Sequence, residues 1–248
     1  MGLRTFFGTL GARAPQVETV LDRVVGRPGE RLTATVTVQG GGAAVRVEGL
    51  AMELVTRVEG LEEGGTELAW RQPGVVSAFS LPTFTLSPGE TVVREVDCVL
   101  PWEMPLTHVG GRRLRGARAA LRTTMKIDAA IDRGDFDEIA VHALPAQDAF
   151  LQALTDLGFR LGDAEVKHGR LRGGTAQTLP YRQEIEAHFP ASYNRRHDDR
   201  LEIVFLARAD SLDLTTGIYG PYTFDHADLD VEAATAWLVA HLHANWRR

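Results

Sequence analysis

The sequence contains a single cysteine, Cys98, so no disulfide can form within the chain and its stability must come from buried apolar surface. Lysine is nearly missing as well: Lys126 and Lys167 are the only two, and arginine supplies the other basic residues. No apolar run approaches the ~20 residues a membrane-spanning helix needs, which leads to the expectation of a cytoplasmic protein. An excess of positive charge is also lacking. The formal net charge of -6 argues against a dedicated nucleic-acid binder. No Gly-x-Ser-x-Gly elbow, phosphate-binding loop or dinucleotide fingerprint occurs, and no serine sits in a setting that would activate it. No catalytic residue, metal site or cofactor is therefore assigned.

What is present is an ordinary globular balance, 44% apolar and 24% charged, in a length that suits one large domain or two smaller ones. The stretch Ala117 to Asp132 is the plainest. Ala117, Ala119, Leu121, Thr123, Met125, Ile127, Ala129 and Ile131 alternate with Arg118, Arg122, Lys126, Asp128 and Asp132 on the other parity. That period of two belongs to a strand, and at ~3.3 Å per residue it would run ~50 Å. Its polar parity turns from basic to acidic along its length, which makes Arg118, Arg122, Lys126, Asp128 and Asp132 candidate partner-contact residues. Arg133-Gly134-Asp135 reads as the turn that follows.

Upstream, Val17 to Val25 reads as a strand ending at the turn Pro28-Gly29-Glu30, and Arg31 to Val38 as the next, with Leu32, Ala34, Val36 and Val38 on the buried parity. The apolar parity slips at Gly49, where a β-bulge is expected. Residues 59–74 suit an exposed hairpin tip. Pro88-Gly89-Glu90 repeats the earlier turn before another strand that carries Cys98 as a small buried side chain. After Pro145 the pattern changes. Asp148 is placed at the start of a helix with Phe150, Ala153, Leu154 and Leu157 on one face, and Gly158 is its stop. Further strands follow, and Ile203 to Leu206 is apolar on both parities, as in a central strand covered on both faces. Asp228 or Asp230 starts a terminal helix striped by Val231, Ala234, Leu238, Leu242 and Trp246.

Three features invite a sharper reading. Leu3, Phe6, Phe7 and Leu10 share a helical face that docks on the protein's own core or on a partner or membrane. Asp225, His226, Asp228 and Asp230 have the oxygen-rich character of a hard-cation site, although acidic residues in front of a helix also cap it. His241 and His243 stand two apart in a helix and point away from each other, so they cannot chelate one ion together.

The opening FFGTLG, the run VETVLDRVVGRPGE, the pair LSPGE and LPWEMPLT, KIDAAIDRGDFDEIAV, FLQALTDLGFRLGDAEV, QEIEAHFP and LEIVFLARA, taken in order, resemble the bacterial sporulation-control family often called SpoOM. The resemblance spans nearly the whole chain. It implies a mainly β fold of two antiparallel, arrestin-like β-sandwich domains, 1–144 and 145–248, joined by a short hinge, with short helices at the N-terminus, the junction and the C-terminus. It also implies a non-enzymatic regulator that acts on protein partners through exposed sheet edges or an interdomain groove. The alternatives are a peripheral membrane adaptor using Phe6, Phe7 and the arginines, and a metal-dependent enzyme centred on residues 225–230.

Overall fold

The computed structural model describes residues 14–59, 73–128, 133–174, 176–193 and 199–246. The N-terminal face with Phe6 and Phe7, most of the 59–74 tip and Asp132 lie outside them.

In chain order the first strands are β1 (Gln16–Leu21), β2 (Val25–Gly26), β3 (Arg31–Gln39), β4 (Val45–Thr56), β5 (Gly74–Leu81), β6 (Phe84–Leu86) and β7 (Thr91–Val99). They continue with β8 (His108–Val109), β9 (Arg112–Arg113), β10 (Ala119–Ile127), β11 (Arg133–Glu138) and β12 (Ala140–Val141). One sheet has the order β1-β3-β7, and a second runs β11-β10-β4-β5 with β6 also on β4. Alternation dictates how they face each other. Leu32, Ala34, Val36 and Val38 of β3 are buried, as are Leu121, Thr123, Met125 and Ile127 of β10, so the two inner faces share one apolar core.

The bulge expected at Gly49 is present. Lys126 pairs with Gly49 but Ile127 pairs with Val47, so one residue of β4 is passed over and the parity changes. Both Pro-Gly turns also hold. Gly29 has φ of 83°, and a Cβ there would lie 2.4 Å from the Trp102 indole, so this turn needs glycine for its backbone and for the ring packed on it.

Two expectations are corrected. β10 is nine residues long rather than spanning Ala117 to Asp132, because the chain turns at Asp128 and returns as β11. Arg133-Gly134-Asp135 is therefore the start of a strand and not a turn, with Met125, Thr124 and Thr123 as its partners on β10.

Helix α1 (Pro145–Asp156) follows, then β13 (Arg160–His168), β14 (Tyr181–His188), β15 (Arg200–Ala207), β16 (Ser211–Thr216), β17 (Tyr219–Asp225) and helix α2 (Val231–Asn245). The start of α1 is not Asp148. Pro145 occupies the first turn, and the Gln147 side chain accepts the Leu144 N–H at 2.9 Å, which moves the cap four residues upstream, from Asp148 to Leu144. At α2 the Asp230 carboxylate accepts the Ala233 N–H, so capping is what this aspartate does.

The five later strands form one antiparallel sheet in chain order, and β15 is its centre, as its two-sided apolar pattern requires. The mainly β reading holds, with helices at the junction and the C-terminus. In this half the layer facing the sheet is helical. Phe150 of α1 meets Phe205 of β15, Phe224 of β17 and Trp237 of α2, and His241 of α2 reaches Thr216 of β16 at 2.7 Å. Burial is what selects this arrangement: Ala234, Leu238 and Leu242 of α2 and Phe150, Leu151 and Leu154 of α1 are all withdrawn from solvent.

Candidate interaction surface

The polar parity of β10 is less available than its charges suggest. Arg122 lies opposite Glu53 in the β10–β4 register and its Nε donates to that carboxylate at 2.8 Å. Arg118 pairs with Glu138 of β11. Arg115 pairs with Asp163, and Arg113 lies 3.8 Å from Glu138, so of the basic stretch Arg112, Arg113, Arg115, Arg118 and Arg122 four face a carboxylate, and Arg112 is exposed. Lys126 and Asp128 are exposed. Charge patterning alone could not reveal this, because the counter-charges come from β4, β11 and β13. Cross-strand pairs of this kind contribute modestly, so Arg122→Ala is expected to lower stability by about 0.5–1 kcal/mol in a urea titration. A loss above ~2 kcal/mol would mean that the pair is a structural keystone.

The sheet edges differ among themselves. β7 pairs with β3 along all nine of its residues, and no strand lies on its other side among the described residues. Which of its backbone groups are free follows from the ladder. Gly40 donates to Glu90 O at 2.7 Å and Leu100 donates to Glu30 O at 2.8 Å, one beyond each end of the strand. Hydrogen-bonded pairs alternate along an antiparallel ladder, so Val92, Arg94, Val96 and Cys98 bond to β3. The N–H and C=O groups of Thr91, Val93, Glu95, Asp97 and Val99 then point outward. The Arg94 guanidinium caps one of them, donating to Val93 O at 2.8 Å, and the side chains of Val93 and Val99 are half exposed. An arginine on the core-facing parity that curls round to its own edge is a recognised way of keeping an edge from unwanted pairing. That inward-parity arginine, in TVVREVDCV, is the sequence signal by which this edge can be found; parity reading passes over it as an irregularity.

The groove expected between the halves is filled. On one side, two stretches from the first half pair with the outer edge of β13: Ala164 donates to Arg115 O at 2.8 Å and Glu59 donates to Val166 O at 2.7 Å. A Cβ on Gly116 would lie 2.7 Å from Ala164 O, so the approach there is backbone to backbone. On the other side, the β14–β15 ladder stops at Ile185 and Ile203, and the segment from Trp102 to Leu106 enters where the strands part. The Gln183 carboxamide accepts the Leu106 N–H at 2.8 Å and donates to Leu106 O at 2.7 Å, standing in for a peptide group. Glu103 accepts from the Thr178 N–H and hydroxyl, both at 2.7 Å. A cleft of about 20 Å³ remains between this segment and Phe205 and Leu206, room for about one water. Backbone and side-chain hydrogen bonds thus join the halves in addition to the chain connection between them.

The remaining polar groups are structural. Bonding to Arg208, then to Thr223, holds the Asp213 carboxyl below the usual carboxylate range despite its burial. Burial pushes the Cys98 thiol up to about 11, with Asp97 adding to it, so the group stays protonated and unreactive. In the 225–230 stretch, Asp230 caps α2 and His226 approaches Arg208 O at 3.0 Å. Among the described residues no three histidine, cysteine or acidic side chains converge as a metal site would require. No helix among them is long and apolar enough to cross a membrane.

Comparison with known proteins agrees with this architecture. The family model "Spo0M: SpoOM protein" matches residues 3–218. The sporulation-control protein spo0M of Bacillus subtilis is 31% identical over 205 residues, covering 82% of this chain and 75% of the relative. The crystal structure of Spo0M from the same organism superposes with a TM-score of 0.76 at 27% identity, covering 93% of this chain and 98% of that one. On these matches, this chain belongs to the SpoOM family of sporulation-control proteins.

Proposed function

We propose that the protein is a non-enzymatic, cytoplasmic regulator with two arrestin-like domains, and that it acts in the control of sporulation or cell development by binding other proteins. The observation that carries this reading is the β7 edge: nine residues, free of proline, with outward backbone groups at Thr91, Glu95, Asp97 and Val99 and at the Val93 N–H, the Val93 carbonyl being the one a partner would have to take from Arg94. Strand addition at such an edge takes its affinity from main-chain hydrogen bonds and its specificity from alternate side chains. Glu95 on the exposed parity favours a partner strand with a basic residue opposite it, whereas Asp97 is already engaged by the Arg31 guanidinium at 2.6 Å and the Thr33 hydroxyl at 3.1 Å. The family resemblance supplies the process and the edge supplies the means, since a fold by itself does not fix a function.

The membrane reading draws little support from the arginines, since Arg113, Arg115, Arg118 and Arg122 face carboxylates and Arg112 is left as the exposed member of the group. Phe6 and Phe7 alone would have to carry it. Expression of this chain in Bacillus subtilis lacking its own spo0M tests the reading of the process. The number of heat-resistant spores is expected to move towards that of the parent strain. An unchanged count, with the protein shown to accumulate, would count against a role in this process.

A further inference from the structure

The two sheets of the first half meet at a corner where both of their edge strands, β1 and β11, lack a second strand partner among the described residues. Asp22 donates to Thr33 O at 2.8 Å, so by alternation Val20 and Glu18 bond to β3 while the Thr19 N–H points away from the ladder. A carboxylate meets it: Asp135 of β11 accepts the Thr19 N–H at 2.7 Å. The Thr19 hydroxyl also donates to the Thr123 hydroxyl of β10 at 2.8 Å, and both threonines are buried. These are the links that close the corner.

Asp137 lies two residues along β11, opposite Leu121 just as Asp135 lies opposite Thr123, so both carboxylates face the interior between the sheets. One Asp137 oxygen, Oδ2, is withdrawn from solvent with no hydrogen-bond donor. An ionised carboxylate in that position is costly, and a proton removes the cost. The charged groups bearing on it are Asp135 on its own strand and Glu18 on β1, both of the same sign, while β10 faces it with uncharged Leu121 and Thr123.

We propose that Asp135 and Asp137 form an acid-sensitive latch between β1 and β11, in which protonation of Asp137 tightens the corner and its ionisation loosens it. Loosening makes the outward backbone of both edge strands more accessible. The latch stands on this geometry and does not depend on how β7 is used.

The sign follows from the carboxyl's environment. Burial, then Asp135, then Glu18 push Asp137 up to about 6 from the usual carboxylate range. Between that value and the unfolded-state value near 4 the folded protein holds a proton that the unfolded chain has lost, so the latch adds stability as the pH falls through about 6. His108 and His241 act in the opposite direction, since burial lowers both and stability is lost as they are protonated. The contrast between wild type and Asp137→Asn isolates the latch. At pH 7.5 the variant is expected to melt about 3 °C higher than wild type, and the gap should shrink below 1 °C at pH 4.5. The Asp137 carboxyl carbon in the wild-type protein should titrate by NMR near pH 6. The Thr19 amide, corrected for intrinsic rates, should exchange at least threefold more slowly at pH 5 than at pH 7.5. A carboxyl midpoint below about 4.5, or a melting gap that does not change with pH, would overturn the proposal.

Discussion

Phe150→Ala is expected to lower the unfolding free energy by about 4 kcal/mol, the largest single loss in the molecule. The ring has no exposed surface, and three aromatic neighbours surround it: Phe224 with centroids 5.0 Å apart, Trp237 at 5.9 Å and Phe205 at 6.4 Å. Edge-to-face pairs of this kind contribute beyond the area they bury, about 0.5–1.5 kcal/mol each. Alanine would leave a cavity at a point where α1, α2 and the later sheet touch, and the surrounding rings are too well anchored to close it. Trp237 is stacked on His241, whose Nε2 is bonded to Thr216, so collapse would have to break that contact as well. Phe150→Leu keeps most of the volume and should cost less than half as much. Urea unfolding followed by near-ultraviolet circular dichroism measures both. If alanine cost under ~1.5 kcal/mol, the helices would not be the layer that stabilises this sheet.

The second large effect concerns binding. Glu95→Pro is expected to weaken partner binding at least tenfold while leaving the fold intact. Glu95 is one of the β7 residues whose backbone faces away from β3, so proline there removes no hydrogen bond of the existing ladder. It deletes a donor that an added strand would use and places a ring in that strand's path. Arg94→Pro would act differently. Its N–H belongs to the β3 ladder, so that variant would lose stability and its effect on binding could not be interpreted. Glu95→Ala keeps the donor and separates the loss of the backbone group from the loss of the charge.

Much of the first half was legible because alternation is a local signal. β3 and β10 each bury one parity, and the parity slip at Gly49 marks the bulge that the β4–β10 register shows. Both Pro-Gly turns were legible for the same reason. A short strand after the turn was legible too, but not its start at Arg133, because the inner parity of β11 carries Asp135 and Asp137 where an apolar pattern would be sought, and those two positions serve the corner with β1. In the second half, Ile203 to Leu206 shows that both faces of β15 are covered but says nothing of what covers them. The segment from Trp102 to Leu106, broken by Pro105, takes its place from the side chain of Gln183, some 80 residues on, and no local pattern encodes that.

The candidate surface follows the same division. The charges of Arg118 and Arg122 were plain, and their neutralisation by Glu138 and Glu53 depends on strand order and register. Exposed charge in sequence is therefore a poor guide to available charge in a sheet protein. The free backbone of an edge strand is the better guide, and it emerges only when the ladder has been assigned.

The most direct measurement is capture of cross-linked complexes from the cells that make this protein, quantified by mass spectrometry for wild type, Glu95→Ala and Glu95→Pro side by side. Wild type and Glu95→Ala should enrich the same protein, and Glu95→Pro, with an unchanged circular dichroism spectrum, should retain less than a tenth of it. Equal enrichment by all three would contradict recognition at the β7 edge. The absence of any specifically enriched protein with wild type would contradict action through protein partners altogether.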